Sequence, residues 1–130
     1  MSQQSQTENA NYTLTEEVAK ALDGKEYFGV ALGTADGTVK VATSATDVIG
    51  VMQGKMRLGD AAVNVRLLNA EGTIKVKAGG VIAKGARVKC DANGKFVVAG
   101  AGDRSIGYKL TQGNSADNDV IEVLVLVEKL

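Results

Sequence analysis

The chain contains no histidine, no tryptophan and no proline, and a single cysteine, Cys90, in 130 residues. Without histidine there is no Ser-His-Asp or Cys-His arrangement and no histidine-bearing metal site, and one cysteine cannot form a disulfide within the chain. These absences place the expectation on a non-enzyme without cofactor or metal. Cys90 follows Val88-Lys89 and reads as a small strand residue, because no second ligand or base stands near it in sequence. Charge of one sign is also missing: fifteen basic and fifteen acidic side chains cancel. Nothing in that balance calls for nucleic acid or an anionic membrane. No segment approaches the roughly 20 apolar residues of a membrane span. The opening "MSQQSQTENAN" has no apolar core of the secretory kind, so synthesis in a reducing cytoplasm is expected. Aromatics are scarce as well; Tyr12, Tyr27, Phe28, Phe96 and Tyr108 are all there are. A stacking platform for bases or sugars is therefore not expected, and the core has to be aliphatic.

What is present divides into three parts. Residues 1–12 are polar and cannot repay the entropy of ordering by themselves, so they read as a flexible arm. Residues 13–24, "TLTEEVAKALDG", read as one short helix. Thr13 and Glu16 have capping-box spacing, Leu14, Val18, Ala21 and Leu22 share a face, and Gly24 supplies a left-handed stop. A helix this short is marginal alone, and its apolar stripe must dock on its own domain or on a neighbouring subunit. From residue 26 onward the period changes to strands, giving a single β domain over 26–130. The pattern predicts strands near 26–32, 38–43, 47–53, 62–69, 72–78, 86–91, 95–99, 104–111 and 119–128. "ADG" at 35–37 and "ANG" at 92–94 mark tight hairpins.

The two hairpins belong to a repeat. Setting Ala35 against Ala92 aligns "ADGTVKVATSATDVIG" with "ANGKFVVAGAGDRSIG" without a gap, with six identities in sixteen positions. After one extra residue, Val63, Val65 and Leu67 fall opposite Ile121, Val123 and Val125. The domain thus reads as two related β units, about 26–69 and 70–130. One curved sheet cannot cover its own apolar face, whereas two related sheets can close as a small barrel or sandwich. In the last strand, "DVIEVLVLVEK", Ile121, Val123, Val125 and Val127 fill one face, while Leu124 and Leu126 sit between Glu122 and Glu128 on the other. A strand apolar on both faces is covered on both, either by the helix or by another subunit.

The glycine-rich stretch "KVKAGGVIAKGARVKCDANGKF" (75–96) raises two chemistries, and the polar stretch at 113–119 a third. Gly80 and Gly85 have the separation of a phosphate loop, but Ala86 and Arg87 stand where Lys and Ser/Thr are required, and a strand follows instead of a helix. "VKAGGVIAKGARV" is similar to the segment preceding the hairpin lysine of biotinyl and lipoyl carrier domains, which makes Lys95 a remote modification candidate. No Met-Lys-Met or Asp-Lys-Ala surrounds it. In "GNSADND" (113–119), Asp117 and Asp119 offer oxygens to calcium but lack the ordered EF-hand spacing, and the stretch reads as a polar turn. Corners at Gly79-Gly80 and Gly85 explain the glycines best.

The order of "KAGGVIAKGARV", "CDANGKF", "RSIGYKL" and "DVIEVLVLVEKL" resembles that of the small head-decoration, or cement, proteins of tailed bacteriophages, over about residues 70–130 directly and 26–69 through the repeat. The resemblance implies a β-tulip-like barrel or sandwich. It also implies a structural role on the outer surface of the virion, where a homo-oligomer, a trimer rather than a dimer, binds the major capsid protein and ties neighbouring capsid subunits together. Candidate capsid or subunit contacts are Asn11, Tyr12, Leu14, Val18 and Leu22 at the front of the chain, and Leu124 and Leu126 in the last strand. The competing expectation is a head-fibre base or adhesin module that holds a host receptor or polysaccharide.

Overall fold

A computed structural model describes residues 9–13, 15–53, 62–69 and 72–130. Among them lie ten strands and one helix: β1 (Asn9–Thr13), α1 (Glu16–Leu22), β2 (Gly29–Leu32), β3 (Val39–Val41), β4 (Gly50–Met52), β5 (Ala62–Leu67), β6 (Thr73–Lys77), β7 (Arg87–Cys90), β8 (Phe96–Val98), β9 (Arg104–Lys109) and β10 (Val120–Lys129). They form two antiparallel five-stranded sheets with orders β1-β5-β4-β2-β3 and β6-β10-β9-β7-β8. The fold is a sandwich and not a closed barrel. Every strand expected from the period-2 pattern is found, in most cases trimmed at its ends. Residue 27 illustrates why: Tyr27 adopts φ +67°, which no strand tolerates, and β2 begins only after it.

The two sheets are the same construction made twice. Replacing β1 by β6, β2 by β7 and so on converts one strand order into the other. The register follows: Val30 pairs with Val41 as Val88 pairs with Val98, and Val51 pairs with Arg66 as Tyr108 pairs with Leu124. Ala10 pairs with Val65 as Ile74 pairs with Val123. β1 is therefore the counterpart of β6. This corrects the expectation that residues 1–12 form a free arm: residues 9–12 belong to β1, antiparallel to β5, while residues 1–8 lie outside the described residues. Ordering comes from the open edge of β5, which offers five residue pairs to a segment with little apolar content of its own.

α1 starts later than the capping-box spacing suggests. Thr13 is still strand, its N–H donating to the Gly37 carbonyl at 2.7 Å. Thr15 is the N-cap, accepting from the Val18 amide at 3.2 Å. With the helix so phased, Ala19 and Leu22 are buried, Val18 is half-buried, and Ala21 is exposed. Leu14 lies outside the described residues. Gly24 at φ +74° ends the turn as expected.

The units stack in the same sense and do not face each other as mirror partners. Along β2 and β4, successive residues enter different cores: Val30 and Met52 join α1, Val39, Val63 and Val65 in one cluster, whereas Ala31 and Val51 join the second sheet in another. The first sheet is thus a middle layer, with the helix in front and the second sheet behind. Val88, the repeat mate of Val30, looks into the core shared with the first sheet. Ile82, on the segment between β6 and β7, is fully buried there, and α1 on the corresponding segment between β1 and β2 buries Leu22. Fully burying a side chain such as Leu22 is worth about 2 kcal/mol, which is what holds a helix too short to persist alone.

Three polar contacts fix the stack. Tyr27 donates its N–H to the Met52 carbonyl at 2.8 Å and accepts from the Lys77 amide at 2.8 Å, joining β4 of one unit to β6 of the other. Gly29 donates to the Gly94 carbonyl at 2.7 Å, an approach that a side chain at residue 94 would block, since a Cβ there would lie 2.5 Å from Val41 Cγ1. The Arg104 guanidinium donates to the carbonyls of Ala45 at 3.0 Å and Val48 at 3.2 Å.

Candidate interaction surface

The residues weighed for chemistry are occupied by structural work. Lys95 is not a protruding hairpin lysine. Its Nζ is 3.0 Å from Asp117 Oδ1, and its own N–H donates to Asp91 Oδ1. Asp117 and Asp119 do not converge: the first meets Lys95, and the second accepts from the Ala116 amide at 2.8 Å. Among the described residues, no group of three or more metal-binding side chains comes together. Cys90 is buried; desolvation, with Asp91 and Asp47 adding negative charge nearby, pushes its thiol up to about 12, leaving the inert strand residue that its sequence context suggested.

The "GNSADND" turn does more than close a loop. Buried Ser115 accepts from the Ile82 amide at 2.9 Å and donates to the Gly80 carbonyl at 2.7 Å, while Asn118 donates to the Ala78 carbonyl. It clasps the glycine corner that carries Ile82 into the core. Beside it, fully buried Lys109 donates its ammonium to the carbonyls of Thr111 and Gly113. Carbonyl dipoles compensate a charge that would otherwise be costly to bury. Nothing short of the topology identifies Lys109 as a core residue; its repeat mate is the buried Met52.

Among the described residues, each end of the stack presents a surface with apolar content. At the front, α1 and the β2–β3 hairpin enclose a groove of about 560 Å³ lined by Val18, Ala21, Ala35 and Val39, with Glu17 and Lys40 among its polar residues. At the back, the outer face of the second sheet carries Tyr108 and Leu124, which pair directly across β9 and β10. The Arg87 guanidinium stacks over the Tyr108 ring, 5.0 Å from its centroid, and also meets the Glu128 carboxylate. Leu126, beside them, is 44% exposed.

The seven contact candidates divide between these ends. Asn11 is exposed on β1, where its Oδ1 accepts from the Asn64 side-chain Nδ2 at 3.2 Å, and Tyr12 and Val18 are half-buried against the helix-side core. Leu22 is fully buried inside its own domain and presents nothing to a partner, which corrects its placement as a contact. Leu14 lies outside the described residues. Leu124 is half-buried and Leu126 exposed, both on the back. The helix covers the first sheet and not β10. The expected single apolar face of β10 is also interrupted: its register against β9 shifts between Val125 and Glu128, a bulge that leaves Val127 37% exposed. Sequence reasoning missed Tyr108 and Arg87 as parts of this surface: alternation around Val88 and Cys90 puts Arg87 on the outer face, but β9 breaks alternation at Gly107, where Ile106, Gly107 and Lys109 are all buried, so only the pairing with Arg87 and Leu124 reveals Tyr108.

The architecture so described is that of an internally duplicated two-sheet β module. Family models give no match to the chain, and neither do curated protein sequences. Among solved structures, the fold is similar to that of the head fiber gp8.5 N base of bacteriophage phi29, with a TM-score of 0.65 at 18% sequence identity, over 94% of this chain and 98% of that one.

Proposed function

We propose that the chain is a structural virion protein of a tailed bacteriophage that seats on the outer surface of the head. There it acts as a homo-oligomer, favoured as a trimer, that binds the major capsid protein and cements its neighbouring subunits. It has no catalytic role. The single observation carrying the reading is the fold shared over nearly the whole of both chains with a phage head fiber base, reached independently of the sequence resemblance to head-decoration proteins. The physical character agrees. A rigid stack tied by Tyr27, Gly29 and Arg104 transmits load between its contacts, and many weak contacts on a lattice add through avidity.

The same likeness favours a second reading, in which the module is the base of a head fibre and holds a further structure against the shell. The two differ in copy number and in mechanical effect. Heads prepared without the chain and then saturated with it should resist heating or loss of osmotic balance better than bare heads if it cements. A base would bind at few positions and leave head stability unchanged. Failure of the purified chain to co-sediment with heads of its own phage under any condition would end both readings.

A further inference from the structure

Repeat geometry defines an unfilled position. Within the chain, the back of the first sheet is packed by the second unit, and Leu68 there is 5% exposed. Leu126 is the repeat mate of Leu68, because Leu67 and Val125 hold the same pairing positions opposite Gly50 and Gly107. Val51, buried in the shared core, likewise corresponds to Tyr108. The face that the first unit hides against another unit is therefore open in the second, and its apolar centre is Tyr108, Leu124 and Leu126. Units stacked in one sense form a heterologous contact, whose two sides differ, and such a contact leaves one unused side at each end.

We infer that the back of the second sheet docks the front of a second copy, with the Tyr108–Leu124–Leu126 ridge entering the groove between α1 and the β2–β3 hairpin. The inference rests on the self-association part of the reading above and specifies its faces. Charge agrees with shape. On the back, Lys75, Lys77, Arg87 and Lys89 alternate with buried neighbours and outnumber Glu122, Glu128 and the Asp103 that pairs with Lys89 by four to three, with Lys77 the cation left over. On the front, the exposed acids Glu17, Asp23 and Asp36 outnumber Lys20 and Lys40. An aromatic and an arginine at the centre of a mixed apolar ridge match the composition of interface cores. Closure of the head-to-tail contact on itself gives a cyclic assembly, and a trimer is the ring consistent with the proposed function.

The test uses the full chain and two exposed positions, Ala21→Arg at the front and Leu126→Glu at the back, studied by sedimentation velocity with circular dichroism and urea midpoints as folding controls. Each variant alone should fold like the wild type and self-associate about 30-fold more weakly or worse, the effect of losing one anchoring contact. Mixed in equal amounts they should form a 1:1 dimer, because the unaltered back of one still meets the unaltered front of the other. Full assembly by Leu126→Glu overturns the inference. So does normal assembly by Ala21→Arg while Leu126→Glu fails, which indicates a symmetric back-to-back contact. A wild-type chain that stays monomeric at high concentration overturns it too. Head binding measured separately distinguishes these failures from failure of the virion reading, since a chain that binds heads while associating through other faces sinks only the docking geometry.

Discussion

Replacing Gly107 by alanine should be among the most damaging single-atom-scale changes in the molecule. Gly107 lies in β9 at φ +149°, and a Cβ built on it would sit 1.8 Å from the Leu124 carbonyl oxygen of β10. Ordinary carbon–oxygen contacts begin at roughly 3.3 Å, so the two strands must separate locally by about 1.5 Å. The obstacle is backbone and no side-chain rotation relieves it. Separation disrupts the pairs Val123/Lys109, Leu124/Tyr108 and Val125/Gly107 at the centre of the longest strand. Losing about three ladder hydrogen bonds at roughly 1 kcal/mol each, and wetting part of the core around Ile106, amounts to about 4 kcal/mol. That is a large fraction of the ~5–15 kcal/mol that holds a domain. With a urea dependence of about 2 kcal/mol/M, the midpoint should fall by about 2 M. Gly102→Ala is the control: its φ is +85° but nothing lies within 4 Å of the added methyl, and the left-handed conformation alone costs about 1–2 kcal/mol. Equal midpoints for the two variants would refute the close-approach reasoning.

Other consequences follow from specific contacts. Thr15→Ala removes the N-cap of α1 and should cost about 1 kcal/mol, read as a lower urea midpoint together with faster amide exchange in residues 16–22; unchanged exchange would mean that the cap is idle. Cys90 titrates at about 12 in the folded chain against 9.0 when unperturbed, so the unfolded chain loses this proton first and stability should decline as pH rises from about 9 toward 12. Cys90→Ala should flatten that part of the pH profile relative to wild type, and in the native protein the thiol should resist alkylation at pH 8 until urea is added. Lys109→Met places in the second unit the residue that the first unit already carries at Met52; the fold should persist while the 110–115 loop, deprived of the ammonium that binds the Thr111 and Gly113 carbonyls, becomes more sensitive to protease.

The strands and the repeat were readable because period-2 alternation and hairpin glycines are local signals. Gly37 and Gly94 both take the positive φ that their turns required. The repeat also contained a signal that local patterns do not carry: "TIKVK" opens the second unit as β6, so the first unit needs a strand before its own hairpin, and "NANYT" is the segment in that position. Polarity hid it, since Ala10 and Tyr12 are only half-buried where Ile74 and Val76 are buried outright. Which way the units stack was not legible, because Val30 and Val88 look alike in sequence and differ only in what lies opposite. Lys109, Ser115 and the Tyr108–Arg87 pair depend on contacts between segments distant in sequence, and no local pattern announces them. The back of β10 was half legible: Leu124 and Leu126 stand out among glutamates, but the bulge that redirects Val127 does not.

Whether this doubled β module sits on the outside of a phage head, as proposed, can be read from electron-microscopy reconstructions of heads from particles produced with and without the gene. Heads carrying the protein should show extra density on the outer surface that fits the helix–sheet–sheet stack, in symmetry-related copies touching the shell. Identical maps, or density for this module found only away from the head, would contradict it.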